Sequence, residues 1–131
     1  MVAITTLSGQ QIDVADETIS LVVGPYPHDV GPHTYVYGPT IGALITGEAA
    51  DVMVGRLRNV KDFAKLTRPN GTPAWVQAKA VSAVRAPLTT EAPEWGEGIV
   101  NAVMVIGKMS QSVQEQVSAA IYILNAQGSR L

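Results

Sequence analysis

The sequence predicts an α+β fold made of two tandem β-rich units, each a hairpin plus further antiparallel strands and each followed by an α-helix. Three features predict it: an internal repeat at constant spacing, a glycine-bearing turn inside each copy, and one apolar helical face at the end of each copy. The repeat carries most weight. Ile4 to Val22 lies over Leu66 to Val84 without a gap, at the spacing that separates Gly9 from Gly71. Thr5/Thr67, Gly9/Gly71, Val14/Val76, Ser20/Ser82 and Val22/Val84 are identical, and Ile4/Leu66, Ile12/Ala74, Ile19/Val81 and Leu21/Ala83 stay apolar. The first β unit with its helix is assigned to 1–60 and the second to 61–131, together forming one pseudo-duplicated domain.

The first unit opens with an apolar strand, Val2 to Leu7, turns at Ser8-Gly9 and returns through Gln10 to Ala15, where Ile12 and Val14 alternate with polar neighbours. Alternation on both sides of a short glycine turn is a hairpin signal. A third strand, Ile19 to Val23, enters the loop Gly24 to Pro32, whose prolines cannot donate to a sheet ladder. In His33 to Tyr37 the alternation puts Thr34 and Val36 on one face and the two tyrosines on the other, and Ile41 to Ile45 supplies a fifth strand. Thr46 is placed to cap a helix from Gly47 to about Asn59, because Ala50, Met53, Val54 and Leu57 recur on one helical face.

The second unit repeats the plan with strands Phe63 to Thr67, Thr72 to Ala78 and Val81 to Arg85, and with Asn70-Gly71 at the hairpin turn. After the loop Ala86 to Gly98 comes an apolar strand, Ile99 to Ile106. Ser112-Val113-Gln114-Glu115 has the form of a capping box, so a final helix is expected from there to about Gln127, with Val113, Val117, Ala120, Ile121 and Leu124 in one stripe and Gly128 as its stop. Trp75, on an alternating strand, is expected in the core.

Composition narrows the function classes. The chain is 47% apolar and 15% charged, against about 25% charged in an ordinary globular protein, so apolar surface is expected to meet a partner. The shortage is greatest at the end, where Lys108, Glu115 and Arg130 are the only charges from Gly98 to Leu131. Ile121 to Leu124 are consecutive apolar or aromatic residues, so they point around most of a helix, and such a helix is normally covered on most sides. Trp95, Val117, Ile121, Tyr122 and Leu124 are therefore the candidate interface residues, and the partners are further copies of the chain or other protein subunits. A net charge of -2 without a Lys/Arg cluster argues against nucleic acid. No apolar run approaches the roughly 18 residues of a membrane span, and no signal peptide is expected after Met1-Val2-Ala3, so the expected location is cytoplasmic or within a virion.

Leu66-Thr67-Arg68-Pro69-Asn70-Gly71-Thr72-Pro73-Ala74-Trp75-Val76, followed by Val81-Ser82-Ala83-Val84, resembles the small flagellar and swarming motility (FlbD/SwrD-like) proteins. The first unit looks like a more diverged copy, with Ser8-Gly9 in place of Asn-Gly. The resemblance implies a non-catalytic, protein-contacting β module and brings no catalytic residues with it.

Chemistry is otherwise sparse. The chain has no cysteine, which removes disulfides, thiolate metal sites and thiol catalysis. No nucleophile elbow, phosphate-binding loop or dinucleotide fingerprint occurs. His28, Asp29 and His33 are the weak metal candidates, since two imidazoles and a carboxylate within six positions can converge on one ion. Asp13, Asp16 and Glu17 lie in a turn and Glu91, Glu94 and Glu97 in a loop, so most of these carboxylates are expected to stay solvated and poorly suited to acid–base work. The expectation is a non-enzymatic structural or interaction protein without cofactor, such as a phage or virion assembly component. The alternative is a small regulatory or adaptor module of the motility-protein kind, with a metal-dependent enzyme built on His28, Asp29 and His33 as a distant third.

Overall fold

The computed structural model describes residues 1–25, 29, 31, 33–88 and 98–131. Among them the chain is α+β and mostly β, with ten strands and two α-helices. It divides into two compact units, Met1–Lys61 and Asp62–Leu131, and every strand pairing within a unit is antiparallel.

In the first unit β1 (Val2–Thr5) and β2 (Gln11–Val14) form a hairpin, and β3 (Leu21–Val23), β4 (Thr34–Gly38) and β5 (Gly42–Thr46) form a meander with β4 in the middle. A short helix, α1 (Ala50–Gly55), packs against β3 and buries Ala50, Met53 and Val54. Thr6 bridges to Thr46 and the Leu7 N–H donates to the Ile45 carbonyl at 3.1 Å, so β5 also meets the end of the first hairpin. Val2, Ile4, Val14, Ile19, Val22 and Val36 fill the core.

The second unit has the same order of elements. β6 (Phe63–Thr67) pairs with β7 (Pro73–Gln77), while β8 (Val81–Arg85), β9 (Ala102–Ile106) and β10 (Met109–Val113) form a meander with β9 central. The final helix, α2 (Val117–Ala126), packs on β6, β8 and β9 and buries Ala120 and Leu124. The hairpin details recur at the Gly9-to-Gly71 spacing. Gly9 N–H donates to Thr6 O and Thr6 N–H to Gln10 O, as Gly71 N–H does to Arg68 O and Arg68 N–H to Thr72 O. Both glycines have φ of +89°, the left-handed conformation that other residues resist.

Several expected boundaries shift. α1 is shorter than expected, and its N-cap is Ala49, not Thr46. Thr46 ends β5, where its hydroxyl accepts the Glu48 N–H at 3.3 Å. Arg56, just past the helix, forms a two-toothed ion pair with Glu48, both contacts at 2.8 Å, and also donates to Ala3 O at 2.8 Å. The apolar strand expected from Ile99 begins at Ala102. The expected capping box is absent: Ser112 and Val113 belong to β10, α2 starts later behind Gln116, and no side chain caps it. The Glu115 carboxylate instead accepts the Thr67 N–H at 3.0 and 3.1 Å and the Thr67 hydroxyl at 2.9 Å. Trp75 also departs from expectation. Ala74 and Val76 point into the core, leaving Trp75 half-buried on the opposite face with the Lys65 ammonium 5.4 Å over its ring. Its indole N–H is buried and has no partner among the described residues.

Candidate functional site

The C-terminal helix is the best candidate for a functional surface. Because Ala120 and Leu124 face inward, the residues at the complementary phase, Ser118, Ala119, Tyr122, Asn125 and Ala126, face outward. Tyr122 is 79% exposed at the centre of that stripe. Val117, Ile121 and Ile123 lie half-buried along its flanks. None of the residues Val117–Ala126 is charged. The first unit's helix provides an internal comparison: it occupies the same place after the third strand of a meander, yet its outward side carries Asp51 and ends at the Arg56–Glu48 pair. The outward side of α1 carries a charge and that of α2 carries none.

Of the residues read from the sequence as an interface, Tyr122 is exposed and Val117 and Ile121 are partly so. Leu124 is a correction. It is fully buried within the chain and cannot meet a partner unless α2 leaves the sheet. Trp95 lies outside the described residues. The exposure of Tyr122 follows from the phase of the helix once its start is known, and the start was obscured by the resemblance of 112–115 to a cap.

Strands offer less. β9 is buried along most of its length and is covered on both edges. β10 is the outer strand of its meander, and its side toward solvent alternates with the side that bonds β9. There a side-chain amide occupies an edge carbonyl, Gln111 Nε2 donating to Ser112 O at 2.9 Å. Just beyond the strand, Asn101 Nδ2 donates to Gln114 O at 2.7 Å and the Gln114 N–H bonds Thr67 O at 2.8 Å. These carbonyls and this N–H are already occupied and so are not open to an added strand.

The expected metal site does not assemble from the described residues. His28 lies outside them, and they contain no group of three His, Asp or Glu side chains placed to hold an ion. Asp29 is nearly buried and accepts the Tyr35 hydroxyl at 3.0 Å through both oxygens, with His33 Nδ1 3.4 Å from Oδ1. Tyr35 in turn stacks on Tyr37, the ring centroids 6.3 Å apart. The carboxylate's contacts tie Asp29 to Tyr35 on β4 and to His33.

Asp16, one of the carboxylates expected in solvent, is buried. It accepts the Arg58 N–H at 2.8 Å and lies 3.1 Å from the Met1 amine. The Arg58 N–H holds its carboxyl below the ordinary range, more than burial raises it, with the Met1 amine adding in the same direction. Held as an anion in a structural role, it is unsuited to exchange protons near neutrality. An open depression of about 440 Å³ is lined by Lys79, Ser82, Ser129 and Arg130 beside Gly128 and Leu131. It lies past the C-terminal end of α2, where cations offset the helix dipole.

In comparisons with protein-family models, curated proteins and solved structures, nothing matches this chain. No helix among the described residues is long and apolar enough to cross a membrane.

Proposed function

We propose that this protein is a non-enzymatic structural or interaction protein that self-associates through its charge-poor C-terminal region, and that the outward side of α2 is the contact. A phage or virion assembly component is the kind of protein this describes. The carrying observation is that α2 contains no charged residue while presenting Tyr122 at 79% exposure. Tyrosine buries a large area at low entropic cost and is enriched where interfaces concentrate their energy. The buried position of β9 and the occupied Ser112 carbonyl on the edge of β10 turn the choice toward the helix. The two units, with matching hairpins and matching element order, are read as diverged copies of one β-plus-helix block, of which the second has given its helix to association.

Light scattering of the intact protein over a wide concentration range tests this. Self-association gives a mass above 13.8 kDa that rises with concentration. A constant monomer mass would instead favour the small adaptor suggested by the resemblance of residues 66–84 to motility proteins.

A further inference from the structure

We infer that Asn70 is a modification site: when the turn between β6 and β7 opens, its side chain closes on the Gly71 nitrogen as a succinimide, and hydrolysis leaves isoaspartate in the turn. This stands apart from the self-association proposed above. Asn70 alone among the asparagines precedes a glycine; Asn59 is followed by valine, and Asn101 and Asn125 by alanine. A side chain on the following residue crowds the approach of its nitrogen to the asparagine carbonyl carbon. At Gly71 no atom of the described residues beyond its chain neighbours lies within 4 Å of where a Cβ would stand. Asn70 and Gly71 are both exposed, so water and base reach the reacting groups.

The turn both prepares and restrains the reaction. Asn70 Oδ1 accepts the Thr72 N–H at 3.1 Å and the Thr72 hydroxyl at 2.6 Å, and two donors on one carbonyl oxygen draw electrons from Cγ and make it a better electrophile. The nucleophile is withheld. Gly71 N–H donates to Arg68 O at 2.9 Å, so its nitrogen attacks only after that bond opens, locally and without global unfolding, and a base takes the proton. The nitrogen then bonds to Asn70 Cγ, the side-chain amide leaves as ammonia with a proton from water, and a further water opens the imide. Opening at the backbone carbonyl gives isoaspartate, which routes the main chain through Cβ and lengthens it by a methylene. The added atom breaks the closure made by Arg68 O with Gly71 N–H and by Arg68 N–H with Thr72 O. Pro69 O, in the same turn, accepts Gln114 Nε2 at 3.1 Å, and the Gln114 N–H is bonded to Thr67 O. The product therefore loosens the hairpin from the segment that leads into α2. Folding is the gate: the closed turn slows the reaction, and the product holds the turn open.

The full chain is aged in mildly alkaline buffer, folded and in guanidinium chloride, and the product at each asparagine is read by peptide mapping and labelling with an isoaspartate methyltransferase. In the unfolded chain isoaspartate should form at Asn70 well ahead of Asn101 and Asn125. In the folded chain it should form about five-fold more slowly or less, the population factor set by one ordinary hydrogen bond. Aged folded wild type should gain a second, lower thermal transition in proportion to its isoaspartate, and Asn70→Ser, with no amide to lose, should not. No excess at Asn70 over Asn101 and Asn125 in guanidinium would overturn the site. Equal rates in the folded and unfolded chain would overturn the gate, and isoaspartate accumulating without a new transition would overturn the loosening of the hairpin.

Discussion

Replacing Glu115 by alanine separates two accounts of how α2 is joined to its unit. If Ser112 to Glu115 were a capping box, Ser112→Ala would cost about 1 kcal/mol and Glu115→Ala a similar amount. The structure puts Ser112 in β10 and gives Glu115 a different task, holding Thr67 at the end of β6 by its N–H and its hydroxyl at 2.9 to 3.1 Å. A hydrogen bond to a charged acceptor contributes about 1.5–3 kcal/mol, and losing the acceptor leaves its donors unpaired. The site is only partly buried, so water recovers some of this, and the expected loss for Glu115→Ala is about 2 kcal/mol. In a chain of this length that is a fall of roughly 6–10 °C in Tm. Ser112→Ala should stay within about 0.5 kcal/mol of wild type. Denaturant unfolding of Glu115→Ala, Thr67→Val and the double variant should show a coupling of about 1 kcal/mol. Equal losses for Ser112→Ala and Glu115→Ala, with additive behaviour at Thr67, would refute the tether and restore the cap.

Asp16 sets an acid limit. Its carboxyl is held below the ordinary 3.8 in the folded chain, so its stabilisation is present above that value and is lost as pH falls below it toward the folded pKa. Asp16→Asn should be less stable than wild type at pH 7 by about 1–3 kcal/mol, and the gap should narrow by pH 3; a gap independent of pH between those values would contradict the assignment. Gly98→Ala should damage folding far more than Gly71→Ala. Both sites have positive φ, but a Cβ at Gly98 would lie 1.7 Å from the Pro69 carbonyl oxygen, whereas at Gly71 no atom of the described residues beyond its chain neighbours comes within 4 Å. Thermal unfolding should show a loss of about 1 kcal/mol at Gly71 and a much larger one at Gly98, and equal losses would exclude the close approach. Leu124→Ala should cost about 2–5 kcal/mol as a buried leucine, and an effect below 1 kcal/mol in chemical unfolding would mean that α2 does not rest on its sheet. Ile121→Asp should impair both folding and association because Ile121 is half-buried; unchanged unfolding would place it wholly outside the core.

Much of the fold was legible wherever local chemistry and packing agree. β6 and β8 fall at Phe63–Thr67 and Val81–Arg85, where the apolar runs place them, and both hairpin turns sit on glycines that need positive φ. The tyrosine and valine faces of β4 also follow from alternation, with Thr34 and Val36 buried and Tyr35 and Tyr37 half-buried. β10 was missed because Met-Ser-Gln-Ser-Val has weak strand preference and its end imitates a helix cap; its place in the sheet comes from pairing with β9, a nonlocal contact. Trp75 misled because alternation along a strand does not by itself say which face is inside. Strand register, fixed by Ala74 and Val76, decides which face is inside. At the candidate site, the shortage of charge near the C-terminus was visible in the sequence. The division of labour along α2, with Leu124 inside and Tyr122 outside, required its docking on β6, β8 and β9.

Sedimentation velocity of wild type beside Tyr122→Lys, with matched circular dichroism, tests self-association most directly. A lysine at this 79% exposed helix position leaves the fold intact but puts an unpaired charge into the proposed contact. Self-association through α2 predicts a wild-type sedimentation coefficient that rises with concentration and a folded variant that remains a monomer at every concentration. Wild type and variant sedimenting alike, whether both as monomers or both as the same oligomer, would contradict it.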